Sequence, residues 1–195
     1  MSRSHGDDRP AGVPAVGAGP RGVRTATGDD VAAVVSVGHR TWRATFEPIA
    51  GCDYVEMGLA KWWTSDVVVE SIRLGRTLVL ERDGVVVGMA AYGLRDDVLL
   101  LWKLYVLPEH QGTGVGSALL EAVVQRAADL GRSRISLSHL AANEQAGRFY
   151  ARHGFVRTGV EPGGSYIPDS VWVARHLSRA DGPETGAIAE TEEQP

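Results

Sequence analysis

The sequence of 195 residues contains a single cysteine, Cys52. One thiol cannot form an internal disulfide, and it excludes a zinc site built from several cysteines. Histidines and carboxylates do not occur together at metal-ligand spacing, so we expect no metal. A chain without a disulfide framework is typical of a reducing compartment, and we expect a cytoplasmic protein.

Long apolar runs and a basic excess are also missing. The longest apolar stretches are far shorter than the ~20 residues that span a bilayer, so we expect no membrane partner. Lysine and arginine total 20 against 24 aspartates and glutamates, which gives a net charge of -4. A protein that neutralises phosphates would show the opposite balance, and we therefore expect no nucleic-acid partner.

The rest of the composition, 44% hydrophobic and 23% charged, is that of one globular domain. Residues 1–21 are interrupted by prolines and glycines and carry early acids, which argues against a signal peptide and predicts a flexible leader. Residues 179–195 carry five acids against one arginine without apolar periodicity, which predicts an acidic flexible tail. The folded domain is predicted at residues 22–178.

Apolar periodicity within that domain predicts a mixed α/β fold. A capping box at Thr27–Asp30 opens the first helix, and Asp83-Gly84 marks a hairpin turn. The expected order is α-α-β-β-β-α-β-α-β-β, with a second helix at about 54–74 and interrupted near 64–65, strands at 77–82, 85–92, 98–107, 135–140, 155–160 and 171–177, and later helices at about 114–130 and 143–153. A helical crossover joins strands 98–107 and 135–140, so they should be parallel.

The segment Val106–Ser117 places three glycines between a buried strand and a helix. Glycines let backbone N–H groups point into one concavity, and the helix N-terminus adds partial positive charge, so the segment predicts a phosphate or pyrophosphate site. No lysine follows at the position that a P-loop needs. The Gly-x-Gly-x-Gly spacing differs from the dinucleotide fingerprint, and the partner acid on the next strand is missing.

The same segment resembles the acyl-coenzyme A signature of the GNAT superfamily of N-acetyltransferases, through Val106, Pro108, Gln111, Gly114 and Gly116. The later helix is similar to the closing helix of that superfamily, through Asn143, Ala146, Phe149-Tyr150 and Gly154-Phe155. The resemblance covers residues 22–178 and implies a GNAT-like acyl-coenzyme A N-acyltransferase fold: a central mixed sheet with a splayed parallel strand pair, flanked by helices. It implies a transferase that moves an acetyl group from acetyl-coenzyme A to a primary amine of a small molecule or peptide, by direct attack in a ternary complex.

The resemblance also implies roles for single residues. The pantetheine arm would lie between the splayed strands and pair with the backbone of Leu104, Tyr105 and Val106, and the N–H of Val106 or a close neighbour would face the thioester carbonyl. Backbone N–H groups would hold the pyrophosphate, from Gln111, Gly112, Thr113, Gly114, Val115, Gly116 and Ser117. Asn143 would contact pantetheine or hold the strand ends, or it only caps its helix. Tyr150 would protonate the departing thiolate, or it only packs beside Phe149.

The general base is left open, because strand 98–107 contains no carboxylate and Ser138 stands at the other position usual in relatives. The possible bases are Glu47, Asp96, Asp97, Glu109, His39, His110 and His139, each of which could instead be an ordinary solvated or core residue. A water chain, or an acceptor amine that is already partly neutral, would also suffice.

The resemblance implies an acceptor wall from the two N-terminal helices, in an aromatic stretch with Trp42, Phe46, Tyr54, Trp62 and Trp63. One or two of these rings would line a slot for an amine, and at least two only pack against the sheet. The acids Glu47, Asp53 and Glu56 could attract a cation. The loop 162–165 would form the opposite rim, and its glycines predict mobility.

Two other functions stay open at this point. One is a catalytically silent acyl-coenzyme A sensor, and the other, disfavoured by the glycine spacing, is a dinucleotide-dependent oxidoreductase. The sequence does not predict the acceptor, the acyl chain preference or the oligomeric state.

Overall fold

A computed structural model describes residues 22–164 and 167–178. The predicted leader and acidic tail lie outside these residues. The first strand of the described residues is β1 (Val23–Thr25), which the sequence patterns did not predict. Three residues are too few to show a period, and this strand is held at the sheet edge by Arg24, which donates to Asp30 at 2.7 Å and to Glu81 at 2.9 Å.

The capping box predicted at Thr27 and Asp30 is present, around a 3-10 turn at Gly28–Asp30. The Arg24 guanidinium, as the largest cause, lowers the pKa of the Asp30 carboxyl to about 2. The long helix α1 (Val31–Trp62) follows and is kinked at Gly51, where φ is 81°. Helix α2 (Ser65–Arg73) starts after Thr64, whose hydroxyl accepts from the Val67 N–H. The interruption predicted near residues 64–65 is confirmed.

Within the described residues, seven strands form one mixed sheet in the order β1-β2-β3-β4-β5-β7-β6. Their bounds are β2 (Thr77–Arg82), β3 (Val85–Arg95), β4 (Val98–Val106), β5 (Arg134–Leu140), β6 (Val156–Glu161) and β7 (Ser170–His176), with α3 (Val115–Asp129) and α4 (Glu144–Arg152) between them. Asp83 and Gly84 both have positive φ, 52° and 76°, as the predicted hairpin turn requires. The predicted fold class is confirmed.

Strands β4 and β5 are parallel, and they pair only at Val98–Leu100 with Arg134–Ser136. Beyond these residues the two strands diverge, although β4 stays paired with β3 as far as Val106. The gap therefore opens at the carboxyl ends of β4 and β5, beside the loop that leads into α3. Helices α1 and α3 both pack on β3 and β4. No described helix is long and apolar enough to cross a membrane.

Candidate active site

A cavity of about 450 Å³ opens where β4 and β5 diverge. Its walls come from β4, the loop into α3, helix α4 and the middle of α1. Ten of the twelve predicted site residues line it: Leu104, Tyr105, Val106, Gln111, Gly112, Gly114, Gly116, Ser117, Asn143 and Tyr150. Of the other two, Thr113 is exposed and donates to the His110 carbonyl, and the Val115 side chain is buried in the core.

The register of β3 and β4 decides which backbone groups of β4 face the gap. The Leu107 N–H donates to the Val87 carbonyl at 2.9 Å. Hydrogen-bonded pairs alternate in an antiparallel ladder, so the opposed pair Met89–Tyr105 is also hydrogen-bonded. The polar backbone groups of Leu104 and Val106 therefore point away from β3, into the gap. Tyr105 turns its backbone groups toward β3 and faces the cavity with its side chain. Of the three residues predicted to pair with pantetheine through the backbone, Leu104 and Val106 therefore have their polar groups in the gap.

One of these gap-facing groups already has a partner. The Val106 carbonyl accepts a hydrogen bond from the Gln111 side-chain amide at 3.1 Å. The first helix bond of α3 runs from the Ala118 N–H to the Gly114 carbonyl at 3.0 Å. The N–H groups that precede Ala118 in α3 have no partner within the helix, and they open toward the cavity as donors for an anion.

Glycine is required at the entrance of α3. Gly112 and Gly114 have φ of 74° and 87°, a left-handed conformation that costs other residues about 1–2 kcal/mol. At Gly116 a β-carbon would lie 3.5 Å from the Phe149 ring and 3.7 Å from Val106, which are ordinary contact distances. The loop is thus shaped by backbone conformation at its start and by close approach of α4 at its end.

Tyr150 lies on α4, has 8% of its surface exposed and lines the cavity. Its ring stacks on His139 at 6.2 Å and meets Phe155 edge-on at 5.6 Å. Burial raises the pKa of the Tyr150 hydroxyl above its usual value. The phenol is therefore protonated at neutral pH, and it can donate a hydrogen bond or a proton to an anion in the cavity.

Asn143 both caps α4 and lines the cavity. Its side-chain carbonyl accepts from the Ala146 N–H at 3.1 Å, so the capping role that was left open is present. The cap uses only the oxygen of the amide. The two N–H groups of the same side chain remain as donors toward a ligand.

Residues 39–155, more than half of the chain, match the acetyltransferase (GNAT) family. The chain belongs to this family. Proteins of Mycobacterium tuberculosis and Mycobacterium bovis, both named as uncharacterized N-acetyltransferases, are 42% identical over 83 residues. That match covers 42% of this GNAT chain and 53% of each relative, so the chain spans about half the length of the curated relatives it matches.

Solved structures share the fold of this GNAT domain. The PaiA N-acetyltransferase of Thermoplasma acidophilum, in complex with coenzyme A, is 18% identical with a TM-score of 0.71, covering 80% of this chain and 98% of the other. The ribosomal-protein-S18-alanine N-acetyltransferase of Escherichia coli is 20% identical with a TM-score of 0.63, covering 80% and 93%. At these identities the likeness is one of fold.

None of the seven possible bases lines the GNAT cavity. Glu109 pairs with Arg40 at 2.7 Å, and Asp97 accepts from Ser133 at the opposite end of β4. His39 contacts the Trp63 carbonyl, and His139 contacts the Leu140 carbonyl. Among the described lining residues the ionisable groups are Tyr105, Tyr150 and Arg152. Arg152 was missed, because one arginine on a short helix shows no pattern in the sequence.

The tryptophans Trp42 and Trp63, in and just after α1, pack in the protein core. Trp42 and Trp63 are 5% and 1% exposed. Each ring lies over a glycine of α1: a β-carbon on Gly58 would come within 1.9 Å of Trp42, and one on Gly38 within 1.9 Å of Trp63. Among the described residues that line the cavity, Phe46 is the one aromatic residue from the predicted acceptor wall.

One of the predicted acids, Glu56, and the predicted rim of the acceptor side have local partners. Glu56 pairs with Arg43 at 2.8 Å. In the loop 162–165 the Gly163 N–H donates to Asp169 at 2.8 Å, and residue 165 lies outside the described residues.

Within residues 22–164 and 167–178, no group of three or more His, Cys, Asp or Glu side chains is arranged to hold a metal ion.

Proposed function

We propose that the chain is an acetyl-coenzyme A-dependent N-acetyltransferase that acts on a primary amine of a small molecule or peptide. The observation that carries the proposal is the continuity of two polar features in one cavity. The gap-facing backbone of Leu104 and Val106 leads directly into the donor-lined entrance of α3. Coenzyme A has the matching shape, with an amide-bearing arm that continues into a pyrophosphate. The coenzyme A complex of the PaiA neighbour supports this ligand.

The pantetheine arm pairs with Leu104 and Val106 as an added strand, and the pyrophosphate accepts from the N–H groups that begin α3. A gap-facing N–H of β4 then lies against the thioester carbonyl. Such a fixed donor stabilises a developing oxyanion by about 3–4 kcal/mol when it is aimed at the reacting oxygen. Asn143 supplies further amide donors beside the arm.

The amine nitrogen attacks the thioester carbon and forms the new C–N bond. The tetrahedral intermediate collapses with cleavage of the C–S bond, and the thiolate takes the hydroxyl proton of Tyr150. Tyr150 recovers a proton from water, and the amine gives up its surplus proton to water. No acyl-enzyme forms, because the exposed Cys52 lies outside the residues that line the cavity.

The absence of a carboxylate or imidazole from the described lining residues has a kinetic consequence. The acceptor must arrive neutral or lose its proton to water, since no described residue that lines the cavity carries a carboxylate or imidazole to accept that proton. The same observation favours the second candidate function, a sensor that binds acyl-coenzyme A and transfers nothing. A cytoplasmic location stays a prediction from the single cysteine.

The test is protein-dependent thiol release from acetyl-coenzyme A across a panel of amines: aminoglycosides, polyamines, amino acids and peptides with free N-termini. Release with one class supports the enzyme and identifies its acceptor. Calorimetric binding of acetyl-coenzyme A without release from any amine favours the sensor. No binding at all rejects both proposals. Saturable binding of a nicotinamide cofactor in that case would restore the oxidoreductase.

A further inference from the structure

His153, just after α4, bridges α4 and α3 with its two ring nitrogens. Its Nδ1 lies 2.8 Å from the Phe149 carbonyl, and its Nε2 lies 3.1 Å from the Ser117 hydroxyl. A carbonyl can only accept, so Nδ1 carries the proton of the neutral ring. The Nε2 of that ring is an acceptor, and Ser117 donates its hydroxyl proton to it.

This arrangement conflicts with anion binding. Ser117 lines the cavity at the start of α3, next to the N–H groups assigned to the pyrophosphate. A hydroxyl has one proton, and here that proton points to His153. The cavity then meets only the lone pairs of Ser117, and a phosphate oxygen is itself an acceptor.

A second proton on the ring reverses the hydrogen bond. The Nε2–H of the cation donates to the Ser117 oxygen, which frees the hydroxyl proton to donate to a phosphate oxygen. We propose that His153 is a positioning residue that couples binding of the coenzyme A pyrophosphate to uptake of one proton, by setting the direction of the Ser117 hydroxyl. This inference rests on the proposed function, in which the cavity binds coenzyme A.

Charged groups also lie on the elements next to His153. On α4, Arg152 lines the cavity, and Arg148 pairs with Glu144 at 3.0 Å. On β7, Arg175 donates to the His153 carbonyl at 3.4 Å. On α3, Glu121 follows Ser117 by four residues on the same helix face. The Ser117 hydroxyl has its hydrogen bond to His153, at 3.1 Å, so this ring is the group whose protonation sets the direction of that bond.

The experiment measures binding of dephospho-coenzyme A to the full chain by calorimetry at pH 6, 7 and 8. This probe keeps the pyrophosphate but lacks the terminal phosphate, which would itself titrate in this range. We expect the dissociation constant to be about tenfold lower at pH 6 than at pH 8, because a charge-assisted hydrogen bond replaces a repulsive contact. Binding enthalpies at pH 7 in buffers of different ionisation enthalpy should report net proton uptake.

His153→Gln is the main variant, because the amide offers Ser117 an N–H donor at every pH. We expect it to bind the probe with an affinity that does not change with pH and without proton uptake. His110→Gln is the matched control: it removes a histidine near the same loop that does not line the cavity, and it should behave like the wild type. In Ser117→Ala, the change in the dissociation constant between pH 6 and pH 8 should be less than half of the wild-type change.

The outcomes separate this inference from the proposed function. Tight binding in the wild type with no pH dependence and no proton uptake overturns the role of His153 and leaves the coenzyme A site intact. A His153→Gln protein that retains the full pH dependence overturns it equally. If that variant does not fold, the wild-type proton uptake and Ser117→Ala still decide. No binding of the probe at any pH contradicts the proposed function itself.

Discussion

The side of the cavity proposed for acetyl-coenzyme A (the donor side) and the side proposed for the amine (the acceptor side) are built in opposite ways. The donor side is backbone: gap-facing groups of Leu104 and Val106, and N–H groups at the start of α3. The acceptor side is side chains packed on side chains, with Trp42 against Phe46 at 4.8 Å and Trp63 against Tyr105 at 5.3 Å. The donor side leaves space for a ligand, whereas aromatic side chains fill the space on the acceptor side.

Glycine shows the difference most directly. At Gly112 and Gly114 no atom lies within 4 Å of an added β-carbon, so glycine there serves conformation and leaves room. At Gly38 and Gly58 the missing side chain is replaced by a tryptophan ring. Substitutions on the acceptor side should therefore act first on stability, and substitutions on the donor side first on function.

The largest effect is expected at Lys103, which lies on β4 toward the acceptor side. Its ammonium donates to the Trp62 carbonyl at 2.6 Å and lies 4.2 Å from the Trp63 ring. Burial lowers its pKa from 10.5 to about 8. Between these two pH values the unfolded chain binds more protons than the folded chain, so this group makes stability rise with pH.

The corresponding test is Lys103→Met, measured by urea unfolding at pH 7 and pH 10. We compare the free energy of unfolding of the variant with that of the wild type at each pH. This difference, variant minus wild type, should be roughly 2–3 kcal/mol larger at pH 7 than at pH 10. Lys61→Met is the control, because that lysine is exposed and should give the same difference from wild type at both pH values. An equal difference at both pH values for Lys103→Met would mean that the ammonium is not desolvated.

Gly38→Ala should destabilise the fold by about 2 kcal/mol. Alanine in a helix is favoured over glycine by about 1 kcal/mol, but here the new methyl group overlaps the buried Trp63 ring, and overpacking costs typically 1–3 kcal/mol or more. Thermal unfolding should show a melting temperature lower by about 4–8 °C. A raised melting temperature would show that the ring shifts without cost.

Tyr150→Phe should lower kcat at least tenfold, which corresponds to about 1.4 kcal/mol, because the thiolate loses its proton donor. The change removes one oxygen and keeps the ring packing, so acetyl-coenzyme A affinity and the melting temperature should stay nearly unchanged. Tyr92→Phe is the control, since that hydroxyl contacts the Gly75 carbonyl away from the cavity. Unchanged kcat in Tyr150→Phe would remove this residue from the mechanism.

The smallest effect is expected from Gly116→Ala, the donor-side counterpart of Gly38→Ala. The β-carbon finds ordinary contacts with Phe149 and Val106, so the fold should be unchanged or gain up to about 1 kcal/mol from helix propensity. The methyl group narrows the cavity, and coenzyme A affinity should fall a few-fold in calorimetry. A destabilised Gly116→Ala protein would contradict the contrast between the two sides.

Much of the fold follows from local patterns. The strand predicted at 77–82 matches β2, and the Asp83-Gly84 turn has the required positive φ. Gly131 and Gly154 end their helices with φ of 64° and 79°. β1 was missed, because its pairing depends on β2 and on the Arg24 ion pairs. The insertion of β7 between β5 and β6 depends equally on contacts distant in sequence.

The candidate site shows the same division. The glycine spacing and the closing helix predicted which segments meet at the cavity, while the roles assigned to their residues stay predictions. The alternation that turns the Tyr105 backbone toward β3 needs the register of β3. The bridge from His153 to Ser117 joins residues that are 36 positions apart, and neither forms a motif with the other.

The sequence by itself determined the elements other than β1, the caps and turns, and the family, because these depend on residues within a few positions of one another. Tertiary structure alone decided that β4 and β5 diverge after three paired residues, and that tryptophan rings occupy the space beside Gly38 and Gly58. It also decided that no carboxylate or imidazole among the described residues lines the cavity. These features depend on which side chains distant segments bring together, and that is set by packing the whole core at once.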